Sequence, residues 1–375
     1  MTRLEIEASG RGRRMHGATF HLASSLIISL DGMGGDHGPP VTVGGVREYI
    51  RRHGGEGVRF LLHGDPETLS AEARKAGVES VCEIRPAEKV IAMDEKPAQA
   101  MRRGKGSSMW NAVETVKAGE AAAAVSAGNT GALMAISKLI LRMSATGLER
   151  PAIVASWPTL NGITAVLDVG ANISSDAEQL VEFAIMGGAF HAAIHGSADP
   201  TIGLLNVGSE DMKGVEAVRE AAAILKDNPF GLNYHGFVEG DDIAKGTVDV
   251  VVTDGFTGNI ALKTAEGTAR FISHLMKEAL TSSLMSRAGT LLALPALKRM
   301  RGRIDPAAVN GGPLLGLNGI IVKSHGGADA KGFGNAIRVA VDLARSDYTA
   351  KVGANLKRLD AVLHSEPSEP LETVS

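Results

Sequence analysis

Along most of the chain, short runs of β-branched and apolar residues alternate with longer stretches whose apolar positions recur at helical spacing. The runs predict strands at Leu26 to Leu30, V-R-F-L-L-H near Phe60, V-C-E-I-R near Glu83, A-A-A-V-S-A near Val125 and I-V-A-S-W near Ala155. Further strands are expected at I-T-A-V-L-D-V, T-I-G-L-L-N-V, V-D-V-V-V-T-D and G-I-I-V-K-S. The clearest helix is expected from Asn259 to Leu280, where Ile260, Thr264, Phe271, Ile272, Leu275 and Ala279 share one face. This alternation predicts an α/β fold: three layers, αβα, around a mostly parallel sheet covered on both faces. No apolar run approaches the roughly 20 residues of a membrane helix.

Five of the strands end in similar punctuation: S-A-G-N-T-G, D-V-G-A-N, N-V-G-S-E, T-D-G-F-T-G-N and K-S-H-G-G-A-D. Each places Gly and a capping Asn, Ser, Thr or Asp where a helix begins. In a parallel sheet such turns are expected to gather along the strands' carboxyl edge, with helix amino ends facing one crevice suited to an anion. The first strand runs into S-L-D-G-M-G-G-D-H-G-P-P, another glycine turn. Gly32 and Gly34 fit the dinucleotide pattern, but its sixth position is His37, and no G-x-x-x-x-G-K-[ST] occurs. The loop suits a phosphate without a nucleotide's signature.

Composition narrows the class. The 375 residues hold 46 glycines and only 4% aromatics, which fits many strand-to-helix turns better than a nucleic-acid platform of aromatic rings. A net charge of -3 gives no basic field to recruit DNA or RNA. The one cysteine, Cys82, excludes an internal disulfide framework and fits a reducing cytosol; lying in an apolar strand, it reads as a buried inert thiol. R-G-R-R before L-A-S-S-L-I-I-S-L has the order of a secretory signal, but Asp31 cuts that run short. The expected organisation is a disordered extension over 1–21, one α/β domain over 22–347 with a helical excursion at 281–303, a C-terminal helix over 348–363 and a disordered tail over 364–375.

Taken together, L-D-G-M-G-G-D-H-G-P, K-P-A-Q-A-M-R-R-G-K-G-S-S-M, S-A-G-N-T-G-A-L-M-A, L-D-V-G-A-N, G-L-L-N-V-G-S-E, D-G-F-T-G-N-I-A-L-K-T, N-G-G-P-L-L-G-L-N-G and V-K-S-H-G resemble the phosphate acyltransferase family PlsX of bacterial phospholipid synthesis. The match runs in order from about Leu26 to Ala340. The resemblance implies a cytoplasmic homodimer, peripheral at the membrane face beside a downstream membrane acyltransferase, that converts acyl-[acyl-carrier protein] and inorganic phosphate into acyl phosphate. It also implies a fold like phosphotransacetylase and isopropylmalate dehydrogenase.

That reaction sends an anionic phosphate oxygen into a thioester carbonyl, so the site needs positive charge and aimed donors. Lys263 and Lys323 are expected to offset phosphate charge, and His325 or Asp254 to accept or orient its proton. Gly128, Asn129, Thr130, Gly131, Gly258 and Asn259 are expected to bind the phosphate. Asp31, Gly34, Gly35, Asp36, His37 and Asn172 are expected to line the crevice, with Asp36 capping the next helix rather than holding a metal. No cofactor or metal is expected.

An acidic carrier protein calls for basic surface, supplied by Arg102, Arg103 and Lys105, or by Lys298, Arg299, Arg301 and Arg303. The second group follows an apolar segment with Leu291, Leu292 and Leu294, suited to anionic lipid or to a dimer interface. Two rival readings are a phosphotransacetylase-like enzyme using acyl-coenzyme A and a non-catalytic membrane scaffold.

Overall fold

A computed structural model describes residues 25–144, 148, 150–227, 231–303 and 309–363. The expected terminal segments at 1–21 and 364–375 lie outside these.

Eleven strands form one sheet: β1 (Leu26–Asp31), β2 (Val58–Gly64), β3 (Cys82–Pro86), β4 (Ala123–Ser126), β5 (Ala152–Pro158), β6 (Ile163–Leu167), β7 (Thr201–Leu205), β8 (Asn233–Val238), β9 (Val250–Val252), β10 (Gly312–Leu315) and β11 (Ile320–Lys323). The helices are α1 (Pro39–His53), α2 (Pro66–Ala76), α3 (Pro97–Arg103), α4 (Ser108–Lys117), α5 (Thr130–Leu141), α6 (Ala177–His195), α7 (Glu216–Asp227), α8 (Gly240–Lys245), α9 (Gly255–Thr281), α10 (Leu284–Arg303), α11 (Ala330–Arg345) and α12 (Tyr348–Leu363).

Strand period two divides the core between the faces. Val125, Leu167, Val252 and Val322 point to one side with Val43, Phe183 and Phe333 from α1, α6 and α11. Ala124, Val166, Val251 and Ile321 point to the other, with Met109, Leu133 and Ile136 from α4 and α5. The architecture is therefore αβα. Helix starts follow local chemistry: Asp65 caps α2 through the Thr68 N–H, and Asp176 with Gln179 forms a capping box at α6.

The order across the sheet is β3-β2-β1-β4-β11-β10-β5-β6-β9-β7-β8. The pairings are parallel except β11 with β10, β10 with β5 and β5 with β6. Three reversals turn the second parallel block, β6-β9-β7-β8, against the first. The five glycine turns therefore do not share one rim, contrary to the single crevice expected from the sequence. The turns after β1, β4 and β11 lie on one edge, those after β6, β7 and β9 on the other.

The edges are nevertheless close. Leu167 pairs with Val154, which places Asp168 beside Ile153; Ile153 pairs with Leu314, and Leu314 with Ile321. Lys323 lies only two residues beyond Ile321, about 7 Å along the strand. Helix α9 starts at the second edge and runs back antiparallel to β9 toward the first. Nine residues from Asp254 to Lys263 span about 13 Å, which carries Lys263 toward the level of Lys323.

Two strands were not expected. In β8 and β10 the sequences N-Y-H-G-F-V and G-P-L-L carry Gly or Pro and resemble turns. The expected helix at Asn259 begins four residues earlier, and its apolar face is not core. Phe271 is 62% exposed, and Ile272 and Leu275 are also open along the pair that α9 forms with α10.

Candidate active site

Three glycine corners interlock at the first edge. A Cβ at Gly34 would collide with the Asp31 carboxylate and approach the Gly128 nitrogen at 2.9 Å. Gly35, at φ +93°, lies against Ala127 and the Gly326 carbonyl. Asp36 N–H donates to Gly326 O at 2.9 Å, and Ser324 N–H to Ser126 O at 2.9 Å. The turns after β1, β4 and β11 thus form one backbone-lined seat.

Asp31 is buried beneath it and accepts from Ser126 Oγ at 2.7 Å. Burial pushes its carboxyl above the ordinary range, while Ser108, Ser126 and the Met33 and Gly34 backbone favour its charged form. Asp36 is not a helix cap. The cap of α1 is Gly38; Pro39 and Pro40 at its first two positions have no N–H to offer a capping side chain, and the Val41 N–H is taken by the Gly38 carbonyl at 3.1 Å. The Asp36 carboxylate instead stands against Gly326 and Gly327. His37 is exposed in the same loop.

Asn129 caps α5 by accepting from Ala132 N–H at 3.0 Å, and its Nδ2 donates to Met93 O at 2.8 Å and Glu95 O at 2.9 Å. Its side chain thus ties the 92–95 loop beside the helix start. The Thr130 and Gly131 N–H groups open the first turn, where a helix has no partners of its own for its donors and carries partial positive charge.

Lys323 ends β11 half-buried, with Nζ donating to Ala127 O at 3.3 Å and to Ser324 O. Burial pushes its ammonium down to about 8; nearby Lys263 acts the same way, and Asp31 and Asp36 oppose. Lys263 is exposed and ion-paired to Glu266 at 2.9 Å. The two lysines predicted from sequence therefore lie within electrostatic reach.

His325 follows the strand end and is exposed. Its Nδ1 accepts from the Gly327 N–H at 3.2 Å. An N–H can only donate, so the neutral ring carries its proton on Nε2 and presents a donor.

The second edge is organised around a residue that the sequence reading passed over. Asp168 is fully buried and takes the N–H groups of Ile153, Gly170, Ala171 and Asn172 and the Asn172 side-chain amide, at 2.6 to 3.2 Å. Burial pushes its carboxyl up, against those donors. Gly255 and Gly258 fit only because they have no Cβ: either would strike Asp168 or Asn172. Asn172 is accordingly buried scaffold, donating also to Pro151 O at 3.0 Å. Asp254 caps α9, with Oδ1 on Thr257 N at 2.9 Å and Oδ2 on Thr257 Oγ1 at 2.7 Å. Asn259 is exposed and lies against Gly170. Among the described residues no three His, Cys, Asp or Glu side chains are placed to hold a metal. Burial pushes the Cys82 thiol up to about 12.

The αβα fold is similar to that of solved phosphotransacetylases. Solved neighbours are a phosphotransacetylase from Streptococcus pyogenes (TM-score 0.57, 19% identity, 86% of this chain and 95% of that one) and the EutD phosphotransacetylase from Staphylococcus aureus (TM-score 0.54, 16% identity, 85% and 94%). The chain belongs to the phosphate acyltransferase (PlsX) family, whose model, described as fatty acid synthesis protein, matches residues 26–351. Phosphate acyltransferase from Caulobacter vibrioides is 67% identical over 341 residues, 91% of this chain and 94% of the relative. That from Phenylobacterium zucineum is 57% identical over 94% of this chain and 99% of its own length. The activity class is acyl transfer to phosphate.

Proposed function

We propose that the protein transfers a fatty acyl group from acyl-[acyl-carrier protein] to orthophosphate, giving acyl phosphate for phospholipid synthesis. The observation that carries this reading is the convergence on one rim of a half-buried lysine, an open helix amino end and an imidazole Nε2–H. Phosphate sits between Lys323 and the Thr130 and Gly131 amides, with Lys263 adding charge from α9. The dianion, a substantial fraction of orthophosphate near neutral pH, needs no base. One of its oxygens bonds to the thioester carbon, His325 Nε2–H donates to the developing oxyanion, and the C–S bond breaks. The thiolate, of pKa about 8.5, leaves unaided and takes its proton from water. In this account His325 donates rather than accepts, and Asp254 shapes the start of α9.

Carrier-protein docking is assigned to α3 and its approach. Arg102, Arg103 and Lys105 are exposed there beside open Met93 and Met101, and α3 packs on the helix whose amino end receives phosphate. Charge with nearby apolar surface suits an acidic partner carrying an acyl chain. With equal long-chain donors, thiol release is expected to require phosphate and to be at least tenfold faster from the carrier protein than from coenzyme A. Equal rates would favour the acyl-coenzyme A reading; carrier binding without release would favour the scaffold.

The α9–α10 pair carries the proposed membrane contact of a cytoplasmic, homodimeric protein. Leu291, Leu292 and Leu294 are exposed near Lys298 and Arg299, and no helix among the described residues is long and apolar enough to cross a bilayer. Flotation with anionic vesicles is expected to fall at least fivefold when Leu291 and Leu292 become Ser. Unchanged flotation would assign this face to the second copy instead.

A further inference from the structure

We propose that Asn310 is a positioning residue for His325 in acyl transfer, an inference that rests on the reaction assigned above. Main-chain pairing between β10 and β11 ends with Gly312 opposite Lys323. Carried two residues further, the same register puts Asn310 opposite His325. The strands no longer pair there, and the Asn310 side chain supplies the missing rung. Its Oδ1 accepts from the His325 backbone N–H at 3.0 Å, and its Nδ2 donates to Ser324 Oγ at 2.8 Å. One amide therefore holds both residues after Lys323.

Asn310 is itself anchored. Its carbonyl accepts from Asn335 Nδ2 at 2.7 Å; Asn335 Oδ1 accepts from Arg338 Nε at 3.0 Å, and Arg338 pairs with Asp342 at 2.6 Å. This line runs from α11 on the sheet's opposite face to the corner. Ser324 is fully buried whereas His325 is exposed, so the corner is the last fixed point before the reacting group. The Gly327 N–H to Nδ1 contact that sets the tautomer depends on the backbone angle there, and an error of about 1 Å in such a group costs on the order of 10²-fold.

The test compares phosphate-dependent thiol release from acyl-carrier protein by the wild type, Asn310→Ala, Asn310→Asp, His325→Ala and the Asn310→Ala/His325→Ala double variant, with nitrogen-detected NMR of the His325 ring. Asn310→Ala is expected to lower kcat about 10- to 100-fold with phosphate KM within about twofold, because the aimed donor acts in the transition state. Asn310→Asp keeps the acceptor and is expected to recover part of the loss. In the His325→Ala background the second substitution is expected to cost less than about threefold. Penalties that multiply in the double variant, or wild-type kcat in Asn310→Ala, would overturn the proposal. A wild type without phosphate-dependent release would refute the assigned reaction instead. The ring spectrum then decides alone: an Nε2–H tautomer lost in Asn310→Ala supports the positioning role, and one retained in both proteins overturns it.

Discussion

Lys323→Met is expected to lower kcat/KM for phosphate about 10²- to 10³-fold, the usual effect of deleting one aimed charge from a preorganised site. The loss should fall mainly on phosphate and little on acyl-carrier protein KM. Burial has already brought the Lys323 ammonium down to about 8, which adds a signature in pH. The charged form is the binding form, so it is present below that value and lost as pH rises through it. Between pH 7.5 and 9.5, kcat/KM for phosphate is expected to drop about 25-fold, while orthophosphate itself stays largely dianionic. An arginine at this position keeps its charge throughout, so whatever activity Lys323→Arg retains should lack the alkaline decline. A flat wild-type profile, or a methionine variant with normal phosphate kinetics, would remove Lys323 from the seat.

The largest expected effect on stability belongs to Asp168. Asp168→Ala deprives the N–H groups of Ile153, Ala171 and Asn172 of a buried acceptor. Buried donors left without partners cost about 1–3 kcal/mol each, and after partial relaxation the sum is expected to be about 3–5 kcal/mol. Urea unfolding should show this as a lower midpoint at unchanged m-value. Asp168→Asn keeps the shape and one acceptor oxygen, and is expected to lose less. Activity should fall even in the folded fraction, because Gly258 packs on the Asp168 carbonyl and α9 sets out from that contact toward Lys263. A midpoint unchanged in Asp168→Ala would mean that the loop closes on water without penalty.

Much of the layering was legible because periodicity and glycine punctuation are local signals. Ile27, Ile28 and Leu30 announce β1, and Val250 to Val252 announce β9. What was not legible is the direction of the second block. It turns on antiparallel pairing at β10 and β5, and β10 is four residues containing Pro313. Nothing in such a segment reveals which strand it will join. The lysines stood out as candidates because cation and glycine turn occur together in V-K-S-H-G and D-G-F-T-G-N-I-A-L-K. Asp254 was expected, as an alternative to His325, to accept or orient the phosphate proton, although Asp-x-x-Thr at a helix start already signals a cap, which Asp254 makes by accepting from the Thr257 N–H. Asp168 stood inside a quoted motif, but its inward aim depends on contacts with β5. Asn310 opens the stretch N-G-G-P-L-L-G-L-N-G, but nothing local marks its contacts, since its partners Ser324 and Asn335 are distant in sequence.

The interlocked glycines bear on how such an enzyme can diversify. A methyl at Gly34 would meet Asp31 and Gly128 together, and one at Gly35 would meet Ala127 and Gly326. Three chain segments would then have to shift in concert, so this rim behaves as one rigid part that resists piecemeal change. The open apolar face of α9 meets no such interlocked backbone, so a side chain can change there without moving the phosphate rim, and the consequence would fall on what that face touches rather than on the chemistry.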